Sequence, residues 1–424
     1  MISYVPTDSL AGQALDVVIV GAGIIGIACA HKLQQSGRRV TLIERDGVAC
    51  GASFGNAGAF AYSDILPLAA SGKLRQVPNW LMDPLGPLSI PPAYLFRVLP
   101  WLVRFWRAGW PDRARASVQA QIALMRLAAI EMTSMIQACG LEHMVRGDGS
   151  LELYANEREL AAASAGWHAR AEANIAFEHV RGSRLAELQP GLAREFVAGT
   201  FVPAWQTVSD PYEFACALAD RVQEKGGVFT RARVAAVRPT DDGALVSLDG
   251  GNTLAARTVV IAAGAWAGPL VKPLGDHIPL ETERGYNTTL PPNAFDLRRQ
   301  LIFGAHGFVV TPLSTGIRIG GAVELGGLDL APNYTRSEAM LTKAARFLPG
   351  LATAGGKQWM GFRPSLPDSL PVIGPSRASS RIIHAFGHGH LGLTQCAATG
   401  RLVADLVCGR NPAIELSSFS PQRF

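Results

Sequence analysis

The stretch DVVIVGAGIIGIACAHKLQQSGRRVTLIERD, residues 16–46, constrains this chain more than any other. An apolar strand turns on Gly21, Gly23 and Gly26, enters a helix that ends near Ser36-Gly37, and leads to a second strand ending at Glu44. Gly21 permits the tight turn, Gly23 lets backbone amides approach a pyrophosphate, and Gly26 lets helix and strand pack closely. The helix N-terminus favours phosphate charge. Glu44, about 20 residues beyond the turn, is spaced to accept from ribose hydroxyls. The glycine spacing alone is a weak signal, but the strand, helix and acid around it make the segment a dinucleotide-binding unit. By itself it does not separate FAD from NAD.

Three further segments carry the same character. RDGVACGASFGNAGAF follows the second strand, and its Gly51, Gly55 and Gly58 with Ser53 and Asn56 offer donors and close backbone approach to an extended ligand. Residues 226–270 read as a strand, a β-meander and a last strand that runs into a small-residue turn at Ala262 to Ala265. FGHGHLGLT, residues 386–394, precedes a helical pattern from Gln395 to Cys408. His388 and His390 in that segment lack the nearby Cys or acidic cluster that would complete a metal site, so no metal is expected there.

Composition narrows the classes. With 424 residues, 48% of them hydrophobic and 17% charged, the chain can bury a large core as two domains or one elaborated one. Its 39 basic residues outnumber 34 acidic ones without any long run, so no nucleic-acid partner is expected. Cys29, Cys50, Cys139, Cys216, Cys396 and Cys408 lack CxxC pairing and read as free thiols in a reducing compartment. The N-terminal residues show no basic segment followed by an apolar one, so a cytoplasmic location is expected. The apolar region Leu81 to Val103 contains Pro84, Pro87, Pro91, Pro92 and Pro100, too many for an uninterrupted spanning helix. From Pro92 to Trp110 the pattern is amphipathic, with Arg97, Arg104 and Arg107 near one face and Leu95, Phe96, Leu99, Trp106 and Trp110 over much of the rest. Two readings stand: a peripheral contact with the inner face of the cytoplasmic membrane, or a domain-capping helix whose Arg stems lie along apolar surface.

Taken together, VVIVGAGIIG with LIERD, SFGNAG, TVVIAAGAWAG, ERGYNTTL, IGGAVELGG, WMGFRPSLPDSLPVIGPS and FGHGHLGLTQCAATGRLVADLVCGRNP resemble the FAD-dependent family of D-amino acid dehydrogenase, D-amino acid oxidase, glycine oxidase and sarcosine oxidase. The likeness runs nearly end to end and is closest to bacterial D-amino acid and hydroxy-D-proline dehydrogenases. It implies an α/β fold with a discontinuous, Rossmann-type FAD-binding domain (1–75, 205–278 and 348–424). The remainder (76–204 and 279–347) would form a substrate domain of helices and a mixed or antiparallel sheet. By the same resemblance Glu44 holds the adenosine ribose, Val234 packs at the adenine, and Ser53, Asn56, Ala57 and Gly58 lie along the pyrophosphate and flavin. Gly21, Gly23, Ile25, Gly26, Arg45, Ala263, Gly264 and Trp266 complete the cofactor contacts. Gly387, His388, Gly389, His390, Leu391, Gly392 and Thr394 bring the last helix's N-terminus to the flavin, where its amides would stabilise negative charge. Sarcosine oxidases that bind flavin covalently place a Cys at the position of Gly361, so noncovalent FAD is implied.

Arg363 stands between Phe362 and Pro364, an apolar setting in which a guanidinium needs an anion. The resemblance supplies the substrate carboxylate, gripped by a planar fork; a structural ion pair is the alternative. Tyr286 matches a position near the substrate, where its hydroxyl would share the carboxylate, or it is a core aromatic. His390 departs from the smaller residue usual in relatives and either borders substrate and flavin or merely packs. The implied reaction is hydride transfer from Cα of a D-amino acid, D-proline or hydroxy-D-proline among the candidates, to flavin N5. No side chain stands out as a catalytic base, so positioning carries the effect. Asp368-Ser369 and Ala59 depart from the family's common Asp-Gly and Gln. A quinone or respiratory carrier is the implied acceptor; the alternatives are an O2-using oxidase of glycine, sarcosine or D-amino acids, and the flavoprotein subunit of an opine- or amine-oxidising complex.

Overall fold

A strand in the middle of a parallel sheet is covered on both faces and therefore reads as a continuous apolar run. In the computed structural model, which describes residues 2–70 and 86–424, that strand is Ala14–Val20, with Val17, Val18 and Ile19 fully buried. It pairs in parallel with Val40–Glu44 on one side and with Thr253–Ile261 on the other. Val228–Arg231 extends the sheet beyond Val40–Glu44, and Ile382–Phe386 joins the far half of Thr253–Ile261, both in parallel. The meander expected from 226–270 is present: Val234–Thr240 and Gly243–Leu248 lead antiparallel into Thr253–Ile261.

Helices Ile24–Gln35, Pro211–Glu224 and Gly392–Val407 cover one face of this first sheet. A second sheet of nine strands runs Lys357–Ser365, Glu281–Leu290, Gly316–Leu325, Phe308–Leu313, Gln300–Phe303, Ser150–Tyr154, Ala198–Val202 and Glu178–Arg181, with Leu88–Ser89 beside Gly316–Leu325. It is antiparallel except where Gln300–Phe303 meets Ser150–Tyr154 and where Leu88–Ser89 joins. Helix Thr335–Phe347 packs on it.

Two segments fall on the other side of the expected domain boundaries. Lys357–Ser365, expected with the FAD-binding domain, belongs to the second sheet because its whole length is hydrogen-bonded to Glu281–Leu290. Helix Pro111–Cys139, expected with the substrate domain, buries Leu124, Ala128, Met132 and Met135 in the first core. The expected boundary between 75 and 76, and the part of the Leu81–Val103 region before residue 86, lie outside the described residues. Pro111–Cys139 is long and apolar enough to cross a membrane, yet one of its faces is packed in protein.

That packing includes a buried ion pair. Lys32 Nζ donates to Glu131 Oε2 at 2.6 Å, and Arg401 meets Glu131 Oε1 at 3.2 Å, so one carboxylate joins the first helix, the long helix and the last. Removing one partner strands a buried charge, which typically costs about 3–5 kcal/mol. Glu131→Ala is therefore expected to shift the urea midpoint strongly downward while Glu131→Gln, which keeps a hydrogen-bond acceptor, shifts it less. Equal midpoints for Glu131→Ala and wild type would contradict this.

Candidate active site

A cavity of about 1250 Å³ runs between the two sheets. Ligand pockets usually measure roughly 300–1,000 Å³, so this one has room for a dinucleotide and a substrate together. One end is lined by Val234, Glu44 and Arg45, the middle by Gly21, Gly23, Ile25, Ser53, Ala263, Gly264 and Trp266, and the far part by Asn56, Ala57 and residues His388 to Gly392 with Thr394. Arg363 and Tyr286 border the same space. Gly26, Gly58 and Gly387 do not line it; they shape its walls from behind.

Gly21 has φ +106°, and a Cβ there would stand 2.6 Å from the carbonyl oxygen of Ala262. At Gly26 a Cβ would fall on the carbonyl of Gly21, so the first helix can start this close to its strand only with glycine. Glu44 takes three backbone donors: Ala22 N at 2.7 Å, Arg45 N at 2.9 Å and Asp46 N at 3.2 Å. A carboxylate has about four lone-pair sites, leaving one for a ribose hydroxyl. Arg45 lies over the Trp266 ring at 3.9 Å, closing that end from the side. Ser53 does not stand free along the cavity: its Oγ accepts from Ile24 N at 3.0 Å at the start of the first helix.

At the far end, the last helix begins at Gly392 after Leu391, with no side-chain cap on its first amides. Thr394 Oγ1 accepts from Ala61 N at 3.0 Å and ties this turn to the strand Ala59–Phe60. Gly389 N donates to Pro364 O at 2.8 Å, which fixes the turn beside Arg363. The two histidines diverge. His388 is buried, its Nε2 lies 2.8 Å from Thr399 Oγ1, and burial pushes it down to about 3, so it is neutral at ordinary pH. His390 is exposed at the cavity edge, with Nε2 3.0 Å from Asp64 Oδ2.

The antiparallel pairing of Glu281–Leu290 with Lys357–Ser365 sets Glu283 opposite Arg363, Gly285 opposite Gly361 and Asn287 opposite Trp359. Opposite residues and every second residue along a strand share a face, so these six form one surface. The guanidinium of Arg363 lies where a Cβ on Gly285 would be, and the Trp359 ring covers Gly361. A β-bulge in Gly316–Leu325, with Ala322 at φ 54°, turns two carbonyls to Arg363: Nη1 donates to Ala322 O at 3.1 Å and Nη2 approaches Gly321 O at 3.5 Å. Arg363 is in no ion pair among the described residues. Burial pushes its pKa down, and the Glu283 carboxylate on the same face pushes back. Neutral carbonyls leave a guanidinium in need of an anion.

Tyr286 corrects an expectation. It alternates onto the opposite face from Arg363, where its hydroxyl donates to Glu324 Oε2 at 2.6 Å and accepts from Asn333 N at 3.1 Å. Glu324 is also paired with buried Arg284 at 2.8 Å. Tyr286 thus belongs to a buried polar network, and its phenol, pushed up to about 12 by burial first, is not free to share a carboxylate with Arg363.

The sequence did not single out the residues that hold the Asn-Ala-Gly loop. Arg318 Nη1 donates to Asn56 O at 2.6 Å and its Nε to Thr289 Oγ1 at 3.1 Å, while Asn287 Nδ2 donates to Gly55 O at 3.0 Å. Asn287 was discoverable, being two residues beyond Gly285 and therefore on its face. Arg318 carried no local signal, because the loop carbonyl it holds, Asn56 O, is 262 positions away.

The residues present suit FAD. A shared acceptor at Glu44, two helix N-termini at the cavity wall and a Cβ-free seam at Gly21 and Gly26 match a ribose, a pyrophosphate and an anionic ring edge in turn. Residues 16–406 match the model of the family described as FAD dependent oxidoreductase. A D-amino-acid oxidase of Bradyrhizobium diazoefficiens is 34% identical over 96% of this chain and 98% of its own length. A D-amino acid dehydrogenase of Rhizobium johnstonii is 26% identical over 97% of this chain and all of its own. Among solved structures, glycine oxidase from Geobacillus kaustophilus superposes with a TM-score of 0.75 at 24% identity, covering 97% of this chain and 99% of that one, a likeness of fold. A family match over nearly the whole length, on a cavity built for the same cofactor, means that this chain belongs to the FAD-dependent oxidoreductase family and uses FAD.

Proposed function

We propose that the chain oxidises a D-amino acid, with cyclic imino acids such as D-proline or hydroxy-D-proline in its range, and passes the electrons to a quinone or another respiratory carrier. The observation that carries the substrate class is Arg363, a guanidinium seated over Gly285 at the cavity wall with carbonyls as its partners. A carboxylate is the anion its planar fork suits best. The D-configuration is supported by the names of the two curated relatives. Bound FAD supplies a two-electron oxidant for a Cα–H donor.

The chain's own residues do the positioning. Arg363 fixes the carboxylate end, the bulge carbonyls of Gly321 and Ala322 fix Arg363, and the bond from Gly389 N to Pro364 O fixes that strand against the last helix. The uncapped amides of the last helix favour negative charge at the cavity's far end. His388, neutral and bonded to Thr399, adds no competing positive charge there.

A second reading, oxidation with O2 as acceptor, is favoured by the relative that bears the name of an oxidase. The test is steady-state turnover of D-amino acids, D-proline and hydroxy-D-proline, measured in parallel as dye reduction and O2 consumption. Dye reduction without comparable O2 uptake supports the dehydrogenase, and equal rates support the oxidase. No turnover of any of these by a yellow preparation whose denaturation releases FAD would overturn the amino acid reading. A protein that stays colourless after incubation with FAD would contradict the cavity assignment itself.

A further inference from the structure

Helix Leu95–Ala108 and the turn after it hold six of the thirteen exposed large hydrophobic side chains among the described residues. Phe96, Leu99, Val103 and Trp106 are 84%, 48%, 55% and 57% exposed. Their steps of three and four confine them to about 80° of the helix surface. Trp110 continues the stripe, its ring edge-on to Trp106 at 5.1 Å. The opposite face is committed to the protein: Val98 and Trp101 are buried, and Trp101, Leu102 and Phe105 line the cavity. Residues 86–111 contain three arginines and no Asp or Glu. Arg97 and Arg104 are exposed along one edge of the stripe, while Arg107 is paired with Asp112 at 2.8 Å and lies over the Trp110 ring.

We infer that this face docks on an anionic lipid bilayer. Aromatic and aliphatic side chains in one stripe enter the boundary between headgroups and acyl chains, and arginines at the stripe's edge meet lipid phosphates. The whole chain, with pI about 9.0, is drawn to the same surface. A second copy is a poorer occupant, since a two-fold contact through this face sets the same arginines near each other. The helix that docks is also a wall of the cavity, so docking brings the lipid phase next to the redox site. The docking rests on the surface alone and holds whichever acceptor is used.

The experiment is co-sedimentation of the full, FAD-loaded chain with vesicles of phosphatidylcholine alone or of equal parts phosphatidylcholine and phosphatidylglycerol. Binding is expected to the mixed vesicles, weakening as salt rises. Phe96→Ser and Trp106→Ser should each lower the partition coefficient roughly tenfold. The pair Arg97→Glu with Arg104→Glu should remove the preference for anionic lipid, and all these variants should keep their FAD content and their dye activity in solution. The inference is overturned if the chain ignores the mixed vesicles, if these substitutions leave binding unchanged, or if Phe96→Ser instead dissociates a dimer of a chain that binds no vesicles.

Discussion

Arg363→Ala is expected to lower kcat/KM for the best D-amino acid by two to three orders of magnitude, at unchanged FAD content. The guanidinium is the cation seated over Gly285, and removing one partner of a buried charge pair costs about 2–5 kcal/mol. Arg363→Lys keeps a cation in the same place but replaces a two-point clamp with one point. Loss of one charge-assisted contact is worth about 1.5–3 kcal/mol, so roughly a ten- to hundredfold fall is expected, with misorientation of the Cα–H adding to it. Fold and flavin should survive both changes, because Arg363 and the bulge residue Gly321 line the cavity, so water can enter the space the side chain leaves. A flavin-loaded Arg363→Ala enzyme with wild-type kcat/KM would show that some other group binds the substrate. Tyr286→Phe offers the contrast: its hydroxyl serves Glu324 on the far side of the strand, so it should lower stability more than kcat/KM.

Gly26→Ala should largely abolish FAD retention. The added Cβ lands on the Gly21 carbonyl, and both are backbone, so neither can swing aside. The helix must retreat from the strand, carrying its N-terminus away from the pyrophosphate position. Overpacking of this kind costs about 1–3 kcal/mol, and FAD affinity should fall roughly ten- to a hundredfold, seen as a colourless preparation after gel filtration and a raised Kd on titration with FAD. Gly147→Ala, where a Cβ meets nothing within 4 Å, serves as the control and should bind FAD as wild type does. Equal FAD affinity in both variants would mean that the close contact between helix and strand is not what positions the cofactor.

Much of this chain was legible because its strongest signals are local. The first strand, the glycine turn, the helix and Glu44 follow one another within 31 residues, and the positive φ of Gly21 and the contact of Gly26 with the Gly21 carbonyl are both local. The meander of 234–261 was readable for the same reason, since its turns join adjacent strands. Tyr286 stood between a substrate contact and a core aromatic because a motif match locates a residue along the strand without saying which face it occupies. In ERGY the tyrosine follows Gly285 directly, and one step along a pleated strand reverses the side chain's direction. Strand Lys357–Ser365 joins the second sheet rather than the first because its place is settled by hydrogen bonds to Glu281–Leu290, 68 to 84 positions away.

The sequence by itself determined the dinucleotide-binding unit, the cofactor's approach through the glycine segments, and a candidate arginine, because each depends on backbone freedom or residue chemistry within a short span. Only the tertiary structure decided what surrounds that arginine. The bulge carbonyls of Gly321 and Ala322, the bare surface of Gly285 and the absence of an ion pair at Arg363 among the described residues all come from strands that meet side by side. So does the exposure of Phe96, Leu99, Val103 and Trp106: an amphipathic pattern says that a helix has two unlike faces, but which one turns inward depends on the apolar surface it packs against, and here Val98 and Trp101 took that place.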